Sequence, residues 1–222
     1  MASLFVTGTD TGVGKTRIAC ALLRALSAAE KTTAGMKPIA AGREDGRWQD
    51  IEALYAASTV RAARHLVNPY AFEPAIAPHI GAELSGVRID IGRIAAAHAE
   101  LCRLADMVVV EGAGGFMIPI TATQTSADLA VLLNVPIVLV VGMRLGCLNH
   151  ALLTRRAIQA LGLNCAGWVA NCMVPEMAHL ERNVATLRER LECPLLGLVP
   201  YRPPMTADET AKHLDVRPLL SL

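Results

Sequence analysis

Short, wholly apolar runs recur along the chain, and each is followed by a longer segment of helical composition. Met107–Val110 and Ile137–Val141 are the clearest of these runs. Runs that are apolar at every position, without alternation, indicate strands that are buried on both faces. The sequence therefore predicts an α/β fold with a mostly parallel sheet flanked by helices on both faces. Ligands of such sheets bind beyond the carboxyl ends of the strands, so a site is expected in the loops that follow them.

The remaining segments fit the same alternation. Further strands are predicted at Ser3–Thr7, Thr33–Lys37 and Leu195–Val199, and Gly167–Ala170 is expected to be the end of another strand. Helices are predicted at Lys15–Ala29, Ile91–Ala105, Asn149–Leu161 and His179–Leu191, and Thr206–Glu209 has the form of a capping box that opens a short last helix. The region from Gly42 to Asp90 is expected to be irregular, an insertion that determines specificity. At 222 residues, the chain is predicted to be a single domain over residues 1–222.

Composition excludes several classes of protein. Hydrophobic residues make up 53% of the chain and charged residues 18%, which excludes intrinsic disorder. The net charge of +1 gives no reason to expect a nucleic acid or an anionic membrane as a partner. The most apolar stretch, Ala130–Met143, is interrupted by Asn134 and Pro136 and is too short to span a bilayer. With no export signal at the start, the protein is expected to be cytoplasmic.

The cysteines and histidines do not predict a metal centre. The six cysteines include no C-x-x-C pair, and most of them lie in apolar runs. We therefore expect buried, reduced thiols rather than disulfides or a zinc site. The six histidines show no metal-binding spacing either.

A glycine-rich loop joins the first predicted strand to the first predicted helix. Residues 8–16 read Gly-Thr-Asp-Thr-Gly-Val-Gly-Lys-Thr, which is the phosphate-loop pattern G-x-x-x-x-G-K-[ST] with one extra residue. Gly12 and Gly14 allow the close backbone approach that a phosphate needs, at a helix N-terminus that favours anions. Lys15 can place its charge on the β- and γ-phosphates, and the Thr16 hydroxyl can ligate Mg²⁺. The alternative is a plain glycine turn, but the flanking strand and helix favour a P-loop NTPase-type fold.

Three more polar residues end predicted strands at the same edge of the sheet. Glu111 is followed by a second glycine-rich loop and could complete a Mg²⁺ site, or it could be a solvated strand end. Lys37 could stabilise charge that develops during phosphoryl transfer, although a solvated lysine is the simpler alternative. Asn171 could pair with adenine, and the guanine-reading N-K-x-D motif is absent, so ATP is favoured over GTP.

Together these motifs resemble the dethiobiotin synthetase family. The match runs from Ser3 to Pro200, and the last twenty residues match poorly. It rests on Gly8–Thr16, Lys37-Pro38, Asn68-Pro-Tyr70, Pro78-His79, Val110–Gly115, Leu145–His150 and Gly167–Asn171.

The resemblance implies an ATP- and Mg²⁺-dependent ligase of biotin biosynthesis. Its substrates would be 7,8-diaminononanoate, CO2 (or bicarbonate) and ATP, and its products dethiobiotin, ADP and phosphate. The reaction would pass through a carbamate and a phosphorylated carbamate. Family members act as homodimers with the site near the interface, so a cytoplasmic homodimer is expected.

The resemblance also implies roles for individual residues. Lys15 and Lys37 would be catalytic, and Thr16, Asp50 and Glu111 would ligate Mg²⁺, with Glu52 as the nearest rival of Asp50. ATP would contact Gly12, Val13, Gly14, Lys15, Thr16, Arg17, Asp50, Glu111, Gly112, Ala113, Gly114, Asn171, Cys172, Pro200, Tyr201 and Arg202. The diamine substrate would contact Thr11, Lys37 and Ala41, and its carboxylate would meet Leu145, Gly146, Cys147 and Asn149 of the other subunit.

Two positions depart from the family pattern. Ala41 stands where some relatives carry serine, so a hydroxyl contact with the diamine is lost. Gly12 stands where some relatives carry glutamate, so its role would be limited to the backbone.

Three other functions compete with this interpretation. Partition and cell-division ATPases of the same broad fold carry a signature lysine four or five positions before the main lysine, where this chain has Asp10 and Thr11. Amidoligases of corrin-ring synthesis are usually joined to a glutaminase domain, for which this chain is too short. A pure nucleotide-binding module would leave Lys37 and the segment from Asn68 to His79 without a purpose.

Overall fold

The computed structural model describes residues 2–222. In chain order, its strands are β1 (Ala2–Gly8), β2 (Thr33–Met36), β3 (Ile39–Ala41), β4 (Tyr70–Phe72), β5 (Met107–Glu111), β6 (Ile137–Met143), β7 (Cys165–Cys172) and β8 (Leu195–Val199). Within residues 2–222, six of them form one sheet in the order β2-β5-β1-β6-β7-β8, and every pairing in it is parallel. The predicted α/β architecture is confirmed.

Helices alternate with the strands along the chain. They are α1 (Lys15–Ala28), α2 (Gln49–Ala57), α3 (Arg64–Val67), α4 (Pro78–Leu84), α5 (Ile91–Leu104), α6 (Ser126–Leu133), α7 (Cys147–Ala160), α8 (Leu180–Arg190) and α9 (Ala207–Ala211), followed by a 3-10 turn at Arg217–Leu219. No helix within residues 2–222 is long and apolar enough to cross a membrane.

The two faces of the sheet bury separate apolar cores. In β1, Leu4 and Val6 pack on one face with α1 and the 3-10 turn, whereas Phe5 packs on the other face with α5 and its neighbours. This arrangement follows from the pleat, which points successive side chains to opposite faces. Because both faces are covered, β5, β6 and β7 are buried along their whole lengths.

Several predicted boundaries were wrong by a few residues. Strands β6 and β7 both end two residues later than predicted, because the ladder between them continues to the pair Met143 and Cys172. Helix α7 begins before Asn149, since Gly146 adopts a φ of 92° and serves as its N-cap. Lys37 lies just past β2, and its backbone N–H donates to Val67 rather than to the ladder.

The region from Gly42 to Asp90 is not irregular, which corrects the sequence-based expectation. It contains α2, α3 and α4, and within residues 2–222 its strand β4 pairs in parallel with β3 as a separate two-stranded sheet. Trp48 Nε1 donates to the carbonyl of Phe72, and Gly81 lies so close to Phe72 that an added Cβ would be 3.1 Å from that ring. The elements are short, and glycine and proline lie within α4 and between the elements, so no periodicity shows in the sequence.

Both edge strands of the main sheet have backbone groups engaged by neighbouring segments. At β2, the carbonyl of Thr33 accepts from the N–H groups of Thr59 and Val60. At β8, the carbonyl of Leu196 accepts from Asp215, and an added Cβ at Gly197 would lie 2.0 Å from the His213 carbonyl oxygen. The chain therefore covers part of each edge with its own backbone.

The C-terminal residues pack on α1. The capping box predicted at Thr206–Glu209 is confirmed, with the Thr206 hydroxyl accepting from the Glu209 N–H at 3.1 Å. Asp208 forms an ion pair with Arg24 of α1 at 2.7 Å. The segment after Pro203 thus returns to the helix that follows the glycine-rich loop.

The described cysteines are all free thiols. Cys20, Cys147, Cys165 and Cys172 are buried, whereas Cys102 and Cys193 are partly exposed. The Sγ atoms of Cys165 and Cys193 lie 3.3 Å apart, at hydrogen-bonding distance and without a disulfide bond. The expectation of burial therefore holds for four of the six cysteines, and reduced thiols stay a prediction.

Candidate active site

The glycine-rich loop lies at the carboxyl end of β1, near the middle of the sheet. From β1 the chain first crosses to β2 on one side, and it later reaches β6, β7 and β8 on the other side. An open parallel sheet has its ligand crevice where the strand order diverges in this way. The fold therefore places the loop where a ligand is expected.

Two glycines of this loop adopt backbone conformations that other residues rarely reach. Gly12 has a φ of 73° and Gly14 a φ of 88°. Gly14 is the N-cap of α1, and no side chain caps the helix there, so its first N–H groups are available to a ligand. A Cβ added to Gly14 would lie 2.3 Å from Asn171 Nδ2, so glycine is also required for space.

Lys15 is buried beneath the loop. Its Nζ donates to the carbonyl oxygen of Asp10 at 2.9 Å. Burial, together with the nearby charge of Lys37, lowers the pKa of Lys15 to about 8, although Glu111 and Asp50 oppose the shift. A multiply charged anion in the crevice would favour the protonated form of this lysine.

A second lysine forms the centre of a buried ionic cluster. Lys37 Nζ lies 2.5 Å from Glu111 Oε1 and 2.9 Å from Asp50 Oδ2. The Thr16 hydroxyl lies 2.7 Å from Glu111 Oε1 and 2.9 Å from Asp50 Oδ1. Lys37 and Glu111 are only 4% and 1% exposed. The four side chains come from separate segments, namely α1, α2, the end of β5 and the residue after β2.

Burial and ion pairing act in opposite directions on this cluster. Burial by itself would lower the pKa of Lys37, but Glu111 and Asp50 outweigh it and raise that pKa above its ordinary value. Burial raises the pKa of Glu111, and the charge of Lys37 opposes this. Lys37 is therefore a buried, protonated ammonium that depends on its carboxylate partners.

The oxygens of this cluster suit a hard divalent cation. Glu111 Oε2 is buried, and it has no hydrogen-bond partner among residues 2–222. Asp50 and Thr16 add two further oxygens beside it. Mg²⁺ at nucleotide sites is commonly held by one or two carboxylates together with phosphate oxygens and water, so this donor set fits it. Glu52 points elsewhere, since it pairs with Arg64 at 2.6 Å.

A cavity of about 600 Å³ opens over the cluster. The predicted site residues that line it are Thr11, Gly12, Gly14, Lys15, Thr16, Lys37, Ala41, Asp50, Glu111, Ala113 and Gly114. The other lining residues form an apolar wall and are Ile39, Ala75, Ile76, Ala77, Pro78 and Ile118. The cavity thus combines charged groups with an apolar surface.

The apolar wall was missed by sequence reasoning, although Ala41 next to it was predicted. Its residues come from β3, from the turn before α4 and from the loop after Gly114. The run Ala75-Ile-Ala-Pro78, beside the Pro78-His79 motif, was the available signal in the sequence. Its meaning depends on β3 and β4 coming together.

The predicted adenine contacts lie beside the loop, outside this cavity. Asn171 is 2% exposed; its Nδ2 donates to the Val13 carbonyl at 2.8 Å, and its Oδ1 has no partner among residues 2–222. Cys172 follows it at the end of β7, where burial raises the pKa of its thiol. Pro200, Tyr201 and Arg202 follow β8, the next strand of the sheet.

Two residues predicted to contact ATP, Val13 and Arg17, do not line the main cavity. Val13 is buried in the core of the α1 face. The side chain of Arg17 turns away toward the C-terminal segment, where it contacts Thr210 Oγ1 at 3.2 Å and Met205 Sδ at 2.8 Å. Gly112 borders a small neighbouring cavity.

The segment from Leu145 to Asn149 does not line the cavity of its own chain. Leu145 is 98% exposed, and Gly146 and Cys147 begin α7. Cys147 as a whole is only 2% exposed. Just before this segment, Arg144 pairs with Asp10 of the glycine-rich loop at 2.7 Å.

Comparison with known proteins adds an independent observation. The chain is 53% identical to the ATP-dependent dethiobiotin synthetase BioD of Nitrosospira multiformis, over 96% of this chain and 94% of that protein. It is 49% identical to the protein of the same name from Pseudomonas aeruginosa, over 99% of this chain and 98% of that one. This chain belongs to the ATP-dependent dethiobiotin synthetase family. As a member of the dethiobiotin synthetase family, it is an ATP-dependent cyclo-ligase with ATP as co-substrate.

Two further comparisons agree with this fold. A family model described as an AAA domain matches residues 2–209. The MinD cell division protein of Aquifex aeolicus superposes with a TM-score of 0.58 at 15% identity, covering 95% of this chain and 87% of that one. MinD of Pyrococcus horikoshii, in complex with Mg-ADP, gives 0.58 at 13% identity, covering 100% and 90%. At such low sequence identity, the likeness to MinD shows that this member of the dethiobiotin synthetase family has the P-loop NTPase fold. It does not show a shared activity.

Proposed function

We propose that the chain, as a single domain, converts 7,8-diaminononanoate, CO2 and ATP into dethiobiotin, ADP and phosphate. The observation that supports this most is the position of Lys37. Lys37 lines the same cavity as Lys15 of the glycine-rich loop and as the residues of the apolar wall. A reaction that joins a triphosphate to an alkyl diamine needs a cation in the space that both reactants share.

The reaction would proceed in three steps. One amine of the substrate attacks the carbon of CO2, loses a proton and becomes a carbamate. A carbamate oxygen then attacks the γ-phosphorus of ATP, and ADP leaves. Finally the second amine attacks the carbamate carbon and loses a proton, while phosphate leaves and the ureido ring closes.

Each step places negative charge near the two lysines. Lys37 would hold the carbamate oxygen, and Lys15 would hold the phosphates, as preorganised cations in a largely buried site. The N–H groups at the start of α1 would bind the phosphate oxygens. Oxygen ligands for Mg²⁺ would come from Thr16, Asp50 and Glu111.

Mg²⁺ bound there would neutralise phosphate charge during transfer. Lys37 Nζ contacts Asp50 and Glu111, the two carboxylates proposed as Mg²⁺ ligands. The ammonium would therefore have to give up part of these contacts when Mg²⁺ and ATP are bound.

The adenine would bind beside the glycine-rich loop, at the ends of β7 and β8. The unpartnered Oδ1 of Asn171 is an acceptor that the exocyclic amine of adenine could satisfy. Cys172 and residues 200–202 would line the same region.

The carbon chain of the diamine would lie along the apolar wall, with Thr11 and Ala41 near its reacting end. Its carboxylate would extend out of the cavity to residues 145–149 of a second subunit, at the N-terminus of α7. A homodimer explains why this segment is remote from the cavity of its own chain and why Leu145 is exposed. The cytoplasm stays the predicted location.

The deciding experiment is incubation with the diamine, bicarbonate, ATP and Mg²⁺, followed by mass analysis for the cyclic urea. We expect dethiobiotin from the wild-type protein. Phosphate release without the cyclic urea would contradict the proposed reaction.

The role of Lys37 is tested by the variant Lys37→Ala, which should lower turnover by about 10²–10³-fold, because a preorganised charge on the transferring group is lost. Since this change leaves Glu111 unpaired, Lys37→Arg serves as a second variant that keeps the ion pair but replaces the compact ammonium with a planar group. Lys31→Ala, at an exposed lysine, is the matched control and should leave turnover unchanged. Wild-type turnover in folded Lys37→Arg and Lys37→Ala would refute the role.

A further inference from the structure

Asp10, the third residue of the glycine-rich loop, is held at both its backbone and its side chain. Its carbonyl oxygen accepts from Lys15 Nζ at 2.9 Å. Its Oδ1 accepts from the N–H of Thr11 at 2.7 Å, and its Oδ2 accepts from the guanidinium of Arg144 at 2.7 Å. The reaction proposed above uses Lys15 and Thr11, and it leaves Asp10 and Arg144 without a role.

Arg144 comes from a distant part of the sequence. It follows β6 and immediately precedes Leu145 and Gly146, which begin the segment proposed to meet the substrate of the partner subunit. A continuous set of contacts therefore runs from this segment through Arg144 and Asp10 to the ammonium of Lys15.

The stability of the fold does not explain this ion pair. Both side chains are 46% exposed, and pairs at such positions contribute little to folding. Positioning does explain it. Lys15 is a point charge on a flexible four-carbon stem, so its place depends on the acceptor that it contacts. The acceptor is the backbone carbonyl oxygen of Asp10. The direction of this carbonyl is fixed only if the backbone of Asp10 is fixed.

We propose that Asp10 and Arg144 form a positioning pair that aims the ammonium of Lys15 at the β- and γ-phosphates and links its position to the partner-facing segment. The inference rests on the proposed phosphoryl transfer, which it deepens. Small displacements of a positioning group cost catalysis disproportionately, so the pair should matter for function more than for folding.

A double-mutant cycle tests the pair. Asp10→Asn keeps an acceptor for the Thr11 N–H but removes the charge, and Arg144→Gln removes the cation. We expect each single variant to weaken binding of the non-hydrolysable β,γ-imido analogue of ATP about threefold to fivefold, with a similar fall in kcat. The double variant should match either single variant, because both remove one interaction. Calorimetry measures the affinities, and thermal unfolding should be unchanged throughout.

Two controls separate positioning from general damage. Arg144→Lys keeps a cation and should restore affinity and kcat to within about twofold of wild type. Arg217→Gln breaks another exposed pair, with Asp215 at 2.6 Å, far along the chain, and should change neither quantity. Additive losses in the double variant, wild-type behaviour of both single variants, or an equal loss in Arg217→Gln would overturn the inference.

The outcome is distinguishable from failure of the proposed function. If the wild-type protein forms no dethiobiotin, the proposed reaction is wrong, and the affinity cycle still decides whether the pair positions Lys15. If the wild-type protein forms dethiobiotin but the cycle is additive, only the positioning pair is refuted.

Discussion

Glu111 is enclosed by protein, yet one of its carboxylate oxygens is without a partner. Oε1 contacts Lys37 and Thr16, whereas Oε2 has no hydrogen bond among residues 2–222. A buried acceptor left unmatched costs about 1–3 kcal/mol, and more when it is charged. Such a cost is expected where a bound ligand removes it, and Mg²⁺ with nucleotide is the ligand proposed here.

If Glu111 is a ligand of Mg²⁺, a change of this single residue should raise the Mg²⁺ concentration that the reaction requires. Glu111→Gln keeps the size of the side chain but replaces one oxygen by a nitrogen donor, so the Mg²⁺ concentration needed for half-maximal turnover should rise at least tenfold. A Mg²⁺ titration of activity measures this. Glu52→Gln is the matched control, because Glu52 pairs with Arg64 outside the cavity, and its titration should follow wild type. An unchanged titration for Glu111→Gln would remove it from the metal site.

The sequence predicted which charged residues the structure brings together, because chemistry fixes their types and strand ends fix their places. Lys37 and Glu111 stand at the ends of strand-like runs, and Lys15 stands at the end of the loop that follows another such run. Parallel strands bring such positions to one edge. Asp50 could not be separated from Glu52 in this way, because both begin the same helix. Only the helix orientation distinguishes the carboxylate that faces Thr16 from the one that faces Arg64.

At the scale of elements, the short helix α9 connects the end of the chain to the nucleotide site. It packs on α1, where Asp208 pairs with Arg24 and Thr210 contacts Arg17. A helix this short does not persist without its cap and its tertiary contacts. The order of the C-terminal segment therefore depends on Thr206, which closes the capping box with Glu209.

Thr206→Ala should lower the free energy of unfolding by about 1 kcal/mol, since it removes an N-cap hydroxyl. Urea unfolding monitored by circular dichroism measures the change. Thr186→Ala is a suitable comparison, because this threonine lies within α8 and its hydroxyl bonds only to the Arg182 carbonyl one turn earlier. Equal destabilisation by both substitutions would show that the cap has no special role.

The sequence did not predict β3, β4 or the apolar wall of the cavity, and the same physical reason explains each of these omissions. The small sheet of β3 and β4 is stabilised by contacts between residues about thirty positions apart, such as Ile39 with Tyr70. Three-residue strands carry too few side chains for a periodic pattern, and their neighbours include glycine and proline. The apolar wall of the cavity depends on this sheet, so it was missed together with it.

At the scale of the whole molecule, the cavity of one chain is incomplete for the proposed substrate. It holds the phosphate-binding loop and the apolar wall, but residues 145–149 lie outside it. The proposed reaction therefore depends on two copies meeting through the surface around Leu145.

Leu145→Asp should separate these copies, because burying a carboxylate in the interface is costly. Light scattering should then give the mass of one chain, 23.6 kDa, instead of twice that value. Dethiobiotin formation should be lost while nucleotide binding remains. Leu84→Asp is the control, since Leu84 is also exposed, at 72%, but lies on α4. A Leu145→Asp protein that keeps the mass and activity of the wild type would contradict the dimer proposed here.

The covered edges of the sheet limit how such copies can meet. Residues 59 and 60 donate to the Thr33 carbonyl of β2, residue 215 donates to the Leu196 carbonyl of β8, and the His213 carbonyl crowds Gly197. An edge strand that is partly engaged and crowded in this way is a poorer template for another chain, so continuous growth of one sheet into the next molecule is disfavoured. Self-association is thereby directed to side-chain surfaces, which can close into a finite assembly instead of extending into fibres.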